Sequence, residues 1–190
     1  TRTIHTAWED PYIRIRDVVY NGGITAALHM ILYHFNLGFP LLSEHTQLLL
    51  PTKQVTPRDR EAASHLDDWN KLHPPVDALP EMCYYHELKS DAAGKTFAAA
   101  FEPRLGIGVA IHFDRTVLDH FVQWRQLTSG YYAMGLEPCN ATIDGVQDAV
   151  ENGSAKWLEP GEIVTYDLTI EILTEQIRFD ALRAESQTYI

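Results

Sequence analysis

Ile163-Val164-Thr165-Tyr166-Asp167-Leu168-Thr169-Ile170-Glu171-Ile172-Leu173 is the stretch that settles the fold class. Val164, Tyr166, Leu168, Ile170 and Ile172 alternate with Thr165, Asp167, Thr169 and Glu171, so one face is apolar and the other polar. That period of two is the signature of a half-buried strand. Glu159-Pro160-Gly161-Glu162, just before it, reads as a tight turn. The same pattern, shorter, recurs through most of the chain. Ile13 and Ile15 alternate with Arg14 and Arg16 in a strand from Tyr12 to Tyr20, and Asn21-Gly22-Gly23 supplies a turn. A further strand is expected from Ala26 to Phe35. Others are expected over Cys83–Leu88, Thr96–Phe101, Gly106–Phe113, His120–Leu127 and Tyr131–Glu137, with breaks at Asp91–Gly94 and Ser129-Gly130.

Many short strands separated by turn signals predict an all-β fold, an antiparallel sandwich or barrel. Between Pro51 and Met82 the period of two disappears, and proline and charge increase. Thr56 as N-cap and Pro57 in the first turn predict a short helix. Its apolar stripe would be Ala62, Leu66, Trp69 and Leu72, ending at His73-Pro74-Pro75. This segment reads as a long excursion from one domain. Gln176 to Ser186 fits either a last helix or an extended arm.

The 190 residues suit a single domain, and 45% hydrophobic with 11% aromatic residues fill a substantial core. A formal net charge of −11 opposes the phosphate contacts that nucleic-acid binding requires. It equally opposes adsorption to anionic membranes, and no apolar run approaches the roughly 20 residues that span a bilayer. An uncharged or weakly charged small molecule is the expected partner. Cys83 and Cys139 do not make a disulfide framework and read as free thiols of a reducing compartment, which makes the cytoplasm the expected location. No His-x-His or Cys-x-x-Cys supplies zinc spacing, and His29 and His34, five apart, would face opposite sides of a strand. Gly106-Ile107-Gly108 lacks the third glycine of a dinucleotide loop, and no Gly-x-Ser-x-Gly elbow occurs.

Two segments carry candidate chemistry. In Tyr33-His34-Phe35-Asn36-Leu37-Gly38-Phe39-Pro40-Leu41-Leu42, His34 and Asn36 are two apart and share a strand face. Gly38 and Pro40 would end that strand. In Gly135-Leu136-Glu137-Pro138-Cys139-Asn140, a carboxylate sits at the end of an apolar strand, where a buried charge needs a partner or a purpose.

Together these segments resemble the galactose mutarotase-like superfamily of aldose 1-epimerases, and more closely its DUF4432 group. The resemblance rests on Tyr33–Leu42, Tyr84-Tyr85-His86, Gln123-Trp124-Arg125, Gly135–Asn140 and Leu158–Glu162, and runs from about Asp17 to Leu173. It implies a mutarotase-type β-sandwich (supersandwich) with one or two short helices. It also implies anomer interconversion at a free sugar, or a sugar derivative, without metal or organic cofactor. Glu137 would take the proton of the anomeric hydroxyl while His34 protonates the ring oxygen. Asn36, His86, Trp124, Arg125 and Asn140 would contact the sugar: Trp124 by stacking on the ring, the asparagines as donors and acceptors, and Arg125 by binding hydroxyls or keeping Glu137 ionised.

The resemblance also exposes a departure. Mutarotases use an arginine and a second histidine from earlier in the chain, and neither His5 nor Arg2 makes a convincing match. The chain opens at Thr1 without methionine, so the domain is expected to lack its N-terminal part; that segment, or another copy, would complete the pocket. Two rival readings stand beside the enzyme: a carbohydrate-binding β-sandwich without catalysis, and a purely structural sandwich.

Overall fold

The computed structural model describes all 190 residues. Thirteen strands follow one another as β1 (Arg2–His5), β2 (Tyr12–Tyr20), β3 (Ala27–Leu28), β4 (Phe35–Gly38), β5 (Gln47–Leu49), β6 (Thr52–Pro57), β7 (Met82–Leu88), β8 (Lys95–Glu102), β9 (Ile107–Asp114), β10 (His120–Thr128), β11 (Tyr131–Cys139), β12 (Trp157–Leu158) and β13 (Ile163–Leu173). Three short helices accompany them: α1 (Arg60–Ser64), α2 (Val146–Glu151) and α3 (Gln176–Ser186). None is long and apolar enough to cross a membrane.

The strands form a six-stranded sheet, β1-β2-β13-β9-β8-β5, and a five-stranded sheet, β4-β11-β10-β7-β6, with β12 and β3 paired separately. All the ladders between named strands are antiparallel. The main core contains residues of both large sheets: Tyr166, Leu168, Ile111 and Ala98 from the first, and Leu37, Met134, Leu136 and Phe121 from the second. Val164 and Ile170 pack on the same cluster, as the alternation along β13 predicts. The chain is therefore an antiparallel β-sandwich.

The opposite face of β13 is not wholly solvated. Its last turn of alternation puts Glu171 and Leu173 beneath α3, where Phe179 and Leu182 join Phe97, Ala99 and Phe101 in a second core. β8 is consequently buried on both faces. The C-terminal tail is thus a helix, fixed by packing more than by its own weak amphipathic pattern. A bidentate pairing of Arg178 with Glu171 secures it, with His112 Nε2 2.8 Å from the other side of the same carboxylate.

Two expectations need correction. The strand foreseen from Ala26 to Phe35 divides into β3 and β4, because the intervening chain passes from the small β12–β3 pair to the five-stranded sheet. Asn140 holds this crossing, accepting from Ile31 N and donating to the His29 carbonyl. The first helix also begins later than foreseen. Thr56 and Pro57 belong to edge strand β6, paired with Tyr85 and Tyr84, and an edge is where proline is tolerated. Asp59 is the actual N-cap, its carboxylate accepting from Ala62 N at 2.9 Å. The foreseen stripe does face inward: Ala62 is buried with Met82 and Tyr84 in a small cluster against which Leu66 and Trp69 pack, and Trp69 and Leu72 pack against the main core.

Phe179 is fully buried and stacks on Phe101 with centroids 5.6 Å apart. Phe179→Ala is expected to destabilise the fold by about 3–5 kcal/mol, read as a lowered urea midpoint.

Candidate active site

The pairing of β4, β11, β10 and β7 builds the site. Phe35 lies opposite Leu136 and Asn36 opposite Gly135, so the same antiparallel count brings His34 opposite Glu137. Glu137 faces Val122, which faces Tyr85, which faces Thr56. One row along, Asn36, Gly135, Trp124 and Cys83 are neighbours. Directly opposed residues share a sheet face, and alternate residues of a strand share it too. His34, Asn36, Glu137, Trp124, Cys83 and Tyr85 therefore stand together on the face turned away from the main core.

His34 Nε2 lies 2.9 Å from Glu137 Oε1. The His34 side chain is 44% exposed and that of Glu137 only 4%. The contact lacks hydrogen-bond alignment, so Oε1 is buried with no bonded partner. Burial without a compensating donor disfavours the charged form and pushes the Glu137 carboxyl up to about 7. A carboxyl that titrates near neutrality exchanges protons readily at physiological pH.

Gly135 makes room for this arrangement. A Cβ built there would lie 2.2 Å from Glu137 Oε1 and 3.0 Å from His34 Cε1. Any side chain would displace the carboxylate. The glycine is required by close approach, and its position two residues before a strand-end glutamate was the sequence's signal of it. Trp124 forms the neighbouring wall, its ring edge-on to His34 at 6.0 Å and its indole N–H donated to Glu81 at 2.9 Å.

The remaining foreseen sugar contacts lie elsewhere. His86 and Arg125 alternate out of register with Tyr85 and Trp124 and so point to the other face of the sheet. His86 is buried, with Nδ1 3.1 Å from Thr52 Oγ1 and Nε2 3.3 Å from Gln123 Oε1, and burial pushes its imidazole down to about 4. Arg125 donates to the carbonyls of Asp68 and Lys71, both at 2.6 Å, and thereby fastens the excursion that follows α1. It does not keep Glu137 ionised. Asn140 spends its amide on Ile31, His29 and Tyr166. Asn36 alone of the foreseen amides is exposed on the site face.

Residues that sequence reading passed over stand on this face instead. Arg58 N donates to the Cys83 carbonyl at 3.0 Å. This extends the β6–β7 ladder by one residue and places Arg58 in the row of Trp124 and Cys83. Its Nε donates to Asp144 at 2.6 Å, and Tyr85 donates its hydroxyl to the same carboxylate at 2.5 Å. The only available signal was parity: in Tyr84-Tyr85-His86 the middle residue, not the histidine, shares a face with Glu137. No three metal-ligating side chains gather here.

Residues 1–172 match the family described as Domain of unknown function (DUF4432). The chain belongs to the DUF4432 family. Solved structures place its fold. A Klebsiella pneumoniae protein provisionally assigned as an aldose 1-epimerase superposes with a TM-score of 0.90 at 22% identity, over 98% of this chain and 53% of that one. A galactose mutarotase-like protein from Clostridium acetobutylicum superposes at 0.59 and 14% identity, over 84% of this chain and 52% of that one. The Slr1438 protein from Synechocystis superposes at 0.60 and 16% identity, over 87% and 52%. The DUF4432 chain thus has the galactose mutarotase-like fold and spans about half the length of these structures. No curated protein matches its sequence.

Two outcomes test the geometry. Because Glu137 is held above its ordinary range, its protonated form favours the folded state. That contribution is complete below about pH 4.5 and is lost as pH rises through about 7. Glu137→Gln, which cannot ionise, should therefore gain stability relative to wild type between those pH values, by up to about 3 kcal/mol. Denaturant titrations at pH 4.5 and 8.5 measure the difference. Gly135→Ala should displace the carboxylate and release its titration toward the ordinary carboxylate range, seen by NMR of labelled glutamate.

Proposed function

We propose that this DUF4432 protein interconverts the anomers of a free aldose or a close derivative. The observation that carries the reading is the near-contact of His34 with a buried glutamate that titrates near neutrality. The anomeric hydroxyl and the ring oxygen of a cyclic sugar are bonded to one carbon. An acid and a base lying side by side on one sheet face suit two oxygens so close together.

Ionised Glu137 removes the proton of the anomeric hydroxyl. The electron pair of that O–H bond forms the carbonyl, the bond from the anomeric carbon to the ring oxygen breaks, and protonated His34 delivers its proton to the ring oxygen. Rotation about the adjacent C–C bond turns the other face of the aldehyde to the ring hydroxyl. Closure then runs the transfers in reverse: neutral His34 accepts the hydroxyl proton and Glu137 returns its own to the new anomeric oxygen. Protons balance over the cycle, and both groups end as they began. Trp124 offers an apolar surface to the C–H face of the ring, and Asn36 offers a donor and an acceptor to its hydroxyls.

Exchange between anomers, followed by NMR saturation transfer across a panel of free sugars, tests this reading. The wild-type protein should exceed the spontaneous rate for at least one sugar. Glu137→Gln should return exchange to the spontaneous rate while sugar still binds, and His34→Asn should lower it by about 10²-fold or more. The rate should follow a bell-shaped pH profile, rising as Glu137 ionises and falling as His34 loses the proton it must deliver. Binding with no catalysed exchange in the wild type would make the protein a carbohydrate-binding sandwich instead.

A further inference from the structure

Arg58 is the one lysine or arginine on the site face in the row of the pair and the row beside it, and nothing in the proton transfers employs it. Its side chain is one-third exposed. Nε is committed to Asp144, the carboxylate that Tyr85 of β7 also binds, and Arg58 N donates to the Cys83 carbonyl, so the guanidinium is held beside β7. Cys83 stands two strands from Gly135, by way of Trp124. At about 4.8 Å per strand, a guanidinium held beside β7 is therefore roughly 10 Å from Gly135, against which His34 and Glu137 pack. A pyranose with a hydrogen bond at each end fills that separation, and Trp124 lies along the way.

Asp144 and Tyr85 fix the arginine's chemistry. Asp144 is bound on one oxygen by Arg58 Nε and on the other by the Tyr85 hydroxyl, which in turn accepts from Ile143 N at 3.1 Å. The fork is anchored on its Nε edge, leaving its terminal nitrogens as donors beside a carboxylate acceptor. A donor fork and an acceptor side by side match neighbouring hydroxyls, each of which both gives and accepts a hydrogen bond. A phosphate or carboxylate would instead meet Asp144, with Glu81 and Glu137 on the same wall.

We propose that Arg58, oriented by Asp144, is a specificity-determining residue that grips neighbouring hydroxyls of an uncharged sugar at the end remote from its anomeric carbon. This rests on the anomer-exchange reading for which end of the sugar faces His34. A structural role, in which Arg58 merely pins the loop between β11 and α2, predicts different behaviour.

Binding by ligand-observed NMR separates them, using the bound aldose and its singly deoxygenated analogues against wild type, Arg58→Gln and Tyr85→Phe, with anomer exchange scored in the same samples. In wild type, removal of one hydroxyl remote from the anomeric carbon should weaken binding about tenfold. In Arg58→Gln the parent sugar should weaken to the level of that analogue, and the analogue should bind as it does to wild type. Tyr85→Phe, which loosens the loop without touching the fork, should keep the discrimination. Equal weakening of every sugar by Arg58→Gln, or no weakening at all, overturns the proposal. So does failure of any aldose to bind wild type, or preferential binding of a sugar phosphate. If discrimination follows Arg58 but exchange stays at the spontaneous rate, the catalytic reading fails and the role of Arg58 stands.

Discussion

A slip of β4 by one residue against β11 would turn His34 toward the core and leave Glu137 facing backbone, because alternate residues of a strand occupy opposite faces. The register that prevents it is held from the core side. Leu37 and Tyr33 are buried in the main cluster beside Met134 and Leu136, and moving either to the outer face would forfeit about 1.5–3 kcal/mol of burial. Tyr33 is further tied by its hydroxyl to the buried Asp17, which Arg2 grips with two nitrogens. The apolar and hydrogen-bonded inner face thus determines what the outer face can present. The position of the acid–base pair is inherited from packing in which neither member takes part.

Such support matters because the pair itself is unfavourable. A carboxylate buried with an oxygen lacking an aligned donor pays desolvation without return. Elsewhere in the chain the same residue type is satisfied: Glu171 has Arg178 and His112, and Glu102 accepts from the backbone of Arg104 and from Ser43. Those two carboxyls are held below their ordinary range by their partners, against the effect of burial. Glu137 alone of the three is displaced upward. A substrate hydroxyl would supply the missing donor, so the free energy withheld in the empty protein is available to binding and proton transfer.

The sheet content was legible because alternation is a local property. Ile163–Leu173 declared its strand, and β7 to β11 fell within a few residues of the runs read from the sequence. Departures arose where long-range pairing outweighed local signals. Thr56-Pro57 looks like a helix start until β7 is placed beside it, and the Ala26–Phe35 run looks continuous until Asn140 reaches across 109 residues to hold Ile31. The tail was undecided because nothing local says that the outer face of β8 needs a cover. His34 and Glu137 were visible as residue types out of keeping with their apolar strands, and the fold brings them together. Arg58 and Asp144 were invisible, since neither follows a pattern and only the fold brings Asp144 to Arg58 and Tyr85.

Parity explains why polar residues of the same strands have such different occupations. Along β10, Trp124 faces outward while Gln123 and Arg125 face inward, and the inward pair is turned to architecture. Gln123 donates to the Trp69 carbonyl and Arg125 to those of Asp68 and Lys71, satisfying backbone oxygens of an irregular segment that strands cannot reach. His86 on β7 joins that inner network through Gln123, while its neighbour Tyr85 looks outward to Asp144. A motif such as Tyr84-Tyr85-His86 or Gln123-Trp124-Arg125 therefore contains two roles in successive residues. Its recurrence in a sequence would reflect both roles at once, and only the pairing partner across the sheet tells which residue meets a ligand.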